Sequence, residues 1–110
     1  MTIRILRSAG HEVKHSLRGF DGAQIARRQR PDAILVDFDL PDIDGRTLVL
    51  VLKRQLAPDV PPIVAVTARA GVAEMRLAEE FGCNGFVSKP FMPEELLQVV
   101  EAVLKPYLPR

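Results

Sequence analysis

Three short apolar runs stand out along the chain, at residues 33–36, 63–66 and 86–87. Strands that helices cover on both faces have continuous apolar runs, whereas half-buried strands alternate apolar and polar residues. Turn residues and then a helical pattern follow each run. The runs therefore predict parallel strands in the interior of an α/β sheet.

Helical periodicity fills the chain between and after these runs. Residues 46–56 have a broad apolar face, and a second helix is expected between Gly71 and Gly82. Glycine is favoured just past a helix end, so Gly82 marks the end of that helix. In the last helix apolar residues recur at i, i+3, i+4, i+7 and i+8 from Leu96, and Pro106 is expected to stop it.

The first third of the chain has a weaker pattern. Residues 2–8 predict a short helix, and residues 12–17 predict a strand. Asp21 is a candidate N-cap for a helix over about 22–30. The resulting alternation of helices and strands predicts a parallel sheet with helices on both faces. Since no repeat or linker interrupts the pattern, we expect residues 1–110 to form a single domain.

Composition narrows the classes of function. The chain has 110 residues, of which 47% are hydrophobic, so a core can form without disulfide or metal support. A net charge of +1 gives no electrostatic reason to expect a nucleic acid or an anionic membrane as partner. One cysteine excludes an internal disulfide, and no apolar run approaches the ~20 residues of a membrane span. We therefore expect a cytoplasmic protein.

Polar residues follow each of the three predicted strands. They are Asp37, Thr67, and Ser88 with Lys89. Because the carboxyl ends of parallel strands meet at one edge of a sheet, these side chains are expected to converge. A carboxylate nucleophile, a hydroxyl donor and an ammonium suit phosphoryl transfer. Read singly, Asp37 is also a common turn residue, Thr67 a helix cap, and Lys89 a solvated cation.

The segments ILVDFDLPDIDG, PPIVAVTARA and GFVSKPF followed by PEELLQVV resemble the receiver domains of two-component response regulators. The stretch GHEVKHSLRGFDGAQIARRQRPD is similar to the second strand and second helix of that family, so the resemblance covers nearly the whole chain. It implies a flavodoxin-like, doubly wound parallel sheet and a signalling domain, not an enzyme. It also implies a histidine kinase or phosphotransfer protein as phosphoryl donor and an unidentified output protein as partner.

The resemblance carries family roles to individual residues. Asp37 would be the phosphoacceptor, Thr67 would hydrogen-bond the phosphoryl group, and Lys89 would pair with its oxygens. Thr67 and the aromatic Phe86 match the positions that shift on activation. The carboxylate of Asp37 and the backbone carbonyl of Asp39 match ligands of Mg²⁺. The peptide bond that follows Lys89, to a proline, would be cis.

The sequence departs from the family at its beginning. Receivers start with a strand and a loop whose two acidic residues help to bind Mg²⁺, whereas RILRSAGHEV resembles the end of the family's first helix. Even if the segment TIRIL formed a first strand, it would not supply the acidic pair. Because Mg²⁺ prefers several oxygen ligands in octahedral geometry, we expect weak or absent Mg²⁺ binding and slow or absent phosphorylation.

The first strand of the family normally lies inside the sheet, so a missing or atypical first strand would leave backbone groups of its neighbours unpaired. Two outcomes follow from the sequence. The strand predicted at residues 12–17 closes up against the one at 33–36 to give a four-stranded sheet, or another chain fills the gap. A homodimer is therefore a hypothesis that the sequence itself motivates.

Two other functions stay open. A degenerate receiver that acts as a binding or dimerisation module without phosphorylation agrees with the missing acidic pair. A phosphatase of the haloacid dehalogenase type is the less favoured reading, because the Asp37-Phe38-Asp39 segment resembles its DxD motif. Those enzymes need a further acidic pair at a later strand end, and none follows Lys89.

Overall fold

In the part of the chain that the structure describes, three parallel strands form the centre of the fold, and five helices flank them. The computed structural model describes residues 2–39, 42–68 and 71–104. In chain order the elements are α1 (Thr2–Ser8), α2 (Gly19–Gln29), β1 (Ile34–Asp37), α3 (Gly45–Leu56), β2 (Ile63–Thr67), α4 (Val72–Glu80), β3 (Gly85–Ser88) and α5 (Pro93–Leu104).

The strands lie in the order β1-β2-β3, and both pairings are parallel. Asp37 is in register with Val66, and Thr67 with Ser88, so the three strands end at the same edge of the sheet. Every residue of the central strand β2 is buried, as its continuous apolar run predicted. All three predicted strands are confirmed, and so is the α/β fold with helices on both faces.

Successive residues of each strand point to opposite faces, and this alternation divides the core into two layers. On one face, Val36 and Ile63 pack with α2 and α3. On the other face, Val64, Val66 and Val87 pack with α1 and α5. The sheet is therefore the middle layer of three, which explains why its strands carry apolar residues on both sides.

The strand predicted at residues 12–17 is wrong. Residues 11–16 have no regular structure, and among the described residues β1 pairs with β2 only. A cleft of about 510 Å³ separates β1 from residues 11–16, and both layers line it, with Leu6, Ala23 and Leu104 among the apolar contributors. A strand needs a neighbour for its backbone hydrogen bonds, and the cleft lies where β1 would supply that neighbour. The predicted four-stranded sheet does not form in the described part of the chain.

The helices agree more closely with the sequence. The short helix at residues 2–8 is α1, so the alternative that TIRIL forms a first strand is wrong. Gly10 and Gly82 follow α1 and α4 with positive φ angles of 93° and 95°, a conformation that glycine adopts without strain. The stop at Pro106 lies outside the described residues. None of the helices described is long and apolar enough to cross a bilayer.

The N-terminal end of α2 shows an unexpected cap. The helix begins at Gly19, so Asp21 lies in its first turn and is not the N-cap. Arg18 at the N-cap makes no side-chain hydrogen bond; instead the carboxylate of Asp42 accepts the backbone N–H groups of Gly19 and Phe20, at 2.8 and 3.2 Å. The hydrogen bond from Gly19 is the main reason that the pKa of Asp42 lies below its usual value. The loop after β1 thereby stabilises a helix more than twenty residues earlier.

Candidate functional site

Asp37 is the last residue of β1, at the carboxyl edge of the sheet. Its side-chain Oδ1 accepts the backbone N–H of Asp39 at 2.8 Å, which orients the carboxylate above the strand end. The backbone N–H of Phe38 donates to the carbonyl of Val66 at 2.8 Å, so the ladder to β2 continues one residue past Asp37. The carboxylate therefore rests on a backbone that is fixed on both sides of it.

Lys89 directly follows β3 and reaches across the strand ends. Its Nζ lies 2.8 Å from Oδ2 of Asp37 and 3.6 Å from Oδ2 of Asp39. The side chains of Lys89 and Asp37 are 35% and 41% exposed, so water screens this ion pair and its contribution to folding stability is small. The pairing matters chemically, because it places a cation where an incoming anionic group must approach Asp37.

Thr67 is the last residue of β2, the strand between Asp37 and Lys89. It is 2% exposed, and its backbone carbonyl accepts the N–H of Lys89 at 2.7 Å. The peptide bond between Lys89 and the following proline is cis, as expected. The structure thus brings the predicted carboxylate, hydroxyl-bearing residue and ammonium to one edge, on three adjacent strand ends.

The side chain of Asp39 is part of the same cluster. Oδ2 of Asp39 accepts the backbone N–H of Ala68 at 3.1 Å, in addition to its contact with Lys89. The sequence pointed to Asp39 through its backbone carbonyl and through the DxD-like segment, and it gave no sign of the link to Ala68. The spacing of two residues from Asp37 was the available signal, since it allows both carboxylates to reach the same cation.

Phe86 lies on β3, three residues before Lys89, and is half-buried opposite Ala65 of β2. It is therefore on the strand that carries the ammonium, at the position that the resemblance marks as an aromatic switch. A half-buried ring has both apolar contacts and room to turn, which agrees with either a packing role or a switching role.

The oxygen ligands at this edge form an incomplete site for Mg²⁺. Within the described ranges, no group of three or more His, Cys, Asp or Glu side chains is placed to hold a metal ion. The two carboxylates present, those of Asp37 and Asp39, both contact the ammonium of Lys89. Because Mg²⁺ demands near-octahedral oxygen coordination, these residues do not fit it by themselves.

Aspartate side chains from the loop after β1 cap the N-terminal ends of two helices, α2 and α3. Besides Asp42 at α2, Oδ1 of Asp44 accepts the N–H of Arg46 at 3.3 Å and caps α3. The role of Asp42 and Asp44 in the structure is to cap helices.

A doubly wound α/β domain with a carboxylate, a buried threonine and a lysine at three adjacent strand ends is typical of a class of signalling domains. The family of response regulator receiver domains matches residues 1–101. The chain belongs to this family.

The chain is 35% identical over 102 residues to the transcriptional regulatory protein PrrA of Mycobacterium tuberculosis. The matched region covers 93% of this chain but only 43% of PrrA. The chain thus spans less than half the length of that relative. It is 28% identical to the polar-differentiation response regulator DivK of Brucella anthropi, with 91% of this chain and 81% of DivK covered.

Solved structures show the same fold. A putative response regulator from Chloroflexus aurantiacus superposes with a TM-score of 0.85 at 33% identity, over 94% of this chain and 84% of that one. The receiver domain of a sensor histidine kinase from Pseudomonas aeruginosa superposes with a TM-score of 0.82 at 32% identity, again over 94% and 84%. That second structure holds a magnesium ion coordinated in its active site cleft.

Proposed function

We propose that this chain is a phosphoacceptor receiver domain, which takes a phosphoryl group on Asp37 from a histidine kinase or a phosphotransfer protein. The observation that carries the proposal is the 2.8 Å contact between Lys89 Nζ and Asp37 Oδ2, one strand away from the buried Thr67. No other cluster of ionisable side chains in the described residues has this arrangement of carboxylate, cation and neighbouring hydroxyl.

In the proposed reaction an oxygen of Asp37 attacks the phosphorus of the donor phosphohistidine. The new P–O bond forms an acyl phosphate, the P–N bond breaks, and the departing imidazole nitrogen takes up a proton from water. The ammonium of Lys89 offsets the added negative charge, and the hydroxyl of Thr67 donates to a phosphoryl oxygen. Thr67 and Phe86 then shift, and the changed surface alters binding to an output protein, as a bias on an existing two-state equilibrium.

The test is to incubate the purified chain with acetyl phosphate or a phosphorylated histidine donor and to measure its intact mass. We expect the gain of one phosphoryl group, lost in Asp37→Asn. Lys89→Gln is expected to slow labelling by at least about tenfold, because it removes a charged donor from the site. Lys14→Gln is the matched control, since Lys14 is an exposed lysine that pairs with Glu12. Equal labelling of Asp37→Asn and the parent chain would refute the proposal.

We expect Mg²⁺ to contribute weakly or not at all to this labelling. Two carboxylates that share one ammonium offer few free oxygen ligands for the metal ion. The expected consequence is slow phosphorylation whose rate changes little when Mg²⁺ is replaced by EDTA. A strongly Mg²⁺-dependent rate, as fast as that of an ordinary receiver, would contradict this expectation.

A second candidate function is a binding module that works without phosphorylation, with a second copy of the chain as its partner. The cleft beside β1 supports it, because part of its lining is apolar and it lies along the side of β1 that has no partner strand among the described residues. A second copy that covers the cleft buries this apolar surface and pairs that side of the strand. Under this alternative Asp37→Asn leaves partner binding unchanged. A dilution series by analytical ultracentrifugation tests the dimer, and a well-folded monomer at nanomolar concentration would exclude it.

A further inference from the structure

The carboxylate of Asp39 accepts one backbone N–H and contacts one ammonium, and both lie beside the carboxylate of Asp37. Oδ2 of Asp39 accepts the N–H of Ala68 at 3.1 Å and lies 3.6 Å from Nζ of Lys89, which also holds Asp37 at 2.8 Å. The two donors therefore converge on one oxygen position beside the acceptor carboxylate, and an anionic oxygen of this chain already fills it.

We propose that the side chain of Asp39 is an internal competitor of the phosphoryl group, and that it limits how readily Asp37 is modified. This inference rests on the proposed function of Asp37. An incoming phosphoryl group carries negative oxygens that need the same ammonium and the same backbone N–H. Asp39 opposes it in two ways, because its carboxylate must first leave these donors and its charge repels the anionic donor molecule.

The site is arranged so that this displacement can occur. The side chain of Asp39 is 42% exposed, so its carboxylate can leave Ala68 for water without the cost of burying a charge. The backbone of Asp39 stays in place, since its N–H donates to Oδ1 of Asp37 at 2.8 Å. Displacement therefore frees the N–H of Ala68 and removes the contact between Asp39 and Lys89, while the carboxylate of Asp37 keeps its orientation.

The carboxylate acts through charge and through occupancy, and two variants separate these effects. Asp39→Asn removes the charge and keeps an oxygen that can accept from Ala68, whereas Asp39→Ala removes both. One unit charge at about 4 Å in water corresponds to roughly a fivefold change in rate. We expect Asp39→Asn to be labelled by acetyl phosphate at least about fivefold faster than the parent chain, and Asp39→Ala faster still.

Asp59→Asn is the matched control, because it makes the same change of charge at an exposed residue in the loop that precedes β2. Its labelling rate is expected to stay within about twofold of the parent chain. Salt gives a readout that a purely structural role would not move. Since 1 M salt reduces the Debye length to about 3 Å, the advantage of Asp39→Asn is expected to shrink there.

The amide signal of Ala68 in ¹⁵N–¹H spectra reports occupancy in the unmodified protein. We expect its proton resonance to move upfield in Asp39→Ala, as the hydrogen bond to the carboxylate is lost, and to stay near its parent position in Asp59→Asn. Equal or slower labelling of both Asp39 variants, or an unmoved Ala68 signal, would overturn the competitor role. Absence of labelling in every chain, under any donor concentration, would instead overturn the phosphoacceptor function and the inference with it.

Discussion

A single added methyl group at Gly45 tests how the loop of the acceptor residue is held. Gly45 is the buried first residue of α3, and Phe38 directly follows Asp37. A Cβ built on Gly45 lies 2.7 Å from Cα and 2.7 Å from Cγ of Phe38, and it is also in contact with Cδ1 of that ring. Real Cβ atoms do not approach other atoms so closely, and a backbone atom cannot move aside by a rotamer change.

The expected cost follows from these contacts. Added methyl groups in packed regions usually cost about 1–3 kcal/mol of folding stability. Alanine is a better helix former than glycine by up to ~1 kcal/mol in a helix interior, and by less at a first residue. We therefore expect Gly45→Ala to lower the free energy of unfolding by about 1–2 kcal/mol. With a urea m-value of ~1–3 kcal/mol/M, the unfolding midpoint falls by roughly 1 M.

Gly22→Ala is the control, since it adds the same methyl group in α2, where the nearest atom is Cβ of Ser16 at an ordinary 3.7 Å. This variant is expected to gain up to ~1 kcal/mol from helix propensity. Urea titrations followed by circular dichroism measure both. A Gly45→Ala midpoint at or above that of the parent chain would refute the close approach of Phe38 to α3. A loss of the same size in Gly22→Ala would show that the effect is not specific to Gly45.

Three further predictions concern titration, reactivity and packing. The hydrogen bonds from Gly19 and Phe20 lower the pKa of Asp42, so its carboxylate stabilises the fold above its usual pKa of 3.8. This stabilisation is lost as the pH falls through the pKa of the folded state. The stability deficit of Asp42→Ala, measured by urea titration, should therefore shrink in acid. Burial raises the pKa of the Cys83 thiol from 9.0 to about 11, so native Cys83 should react with iodoacetamide at pH 8 roughly 100-fold more slowly than in urea; equal rates would contradict this. The fully buried Leu96 should cost about 2–5 kcal/mol when changed to alanine, measured by the same urea titration.

The strands that form the described sheet were predictable because each is buried on both faces. Such strands need apolar residues on both faces, and the sequence has continuous apolar runs at 33–36, 63–66 and 86–87. The sequence of residues 12–17 is compatible with a strand, but a strand also needs a neighbouring strand with which to pair. Whether the segment becomes a strand depends on what lies beside it, and in the structure a cleft lies there.

The site was predictable to the extent that it follows from strand order. Asp37, Thr67 and Lys89 lie together because parallel strands deliver their carboxyl ends to one edge, which is a property of topology. The caps by Asp42 and the bond from Ala68 to Asp39 depend on loop conformation, and no periodic pattern encodes a loop. These contacts therefore could not be predicted from the sequence.

Among the described residues β1 pairs with another strand on one side only, and this has a consequence for amide hydrogen exchange. The N–H groups of Ile34 and Phe38 donate to carbonyls of the β2 side, at 2.9 and 2.8 Å, so by the alternation of a strand those of Leu35 and Asp37 point to the cleft. Deuterium should therefore enter at Leu35 and Asp37 quickly and at Val36 slowly, within one short strand. Any chain that adds a strand in the cleft would slow the fast pair alone, and exchange rates at two amides would then report its arrival.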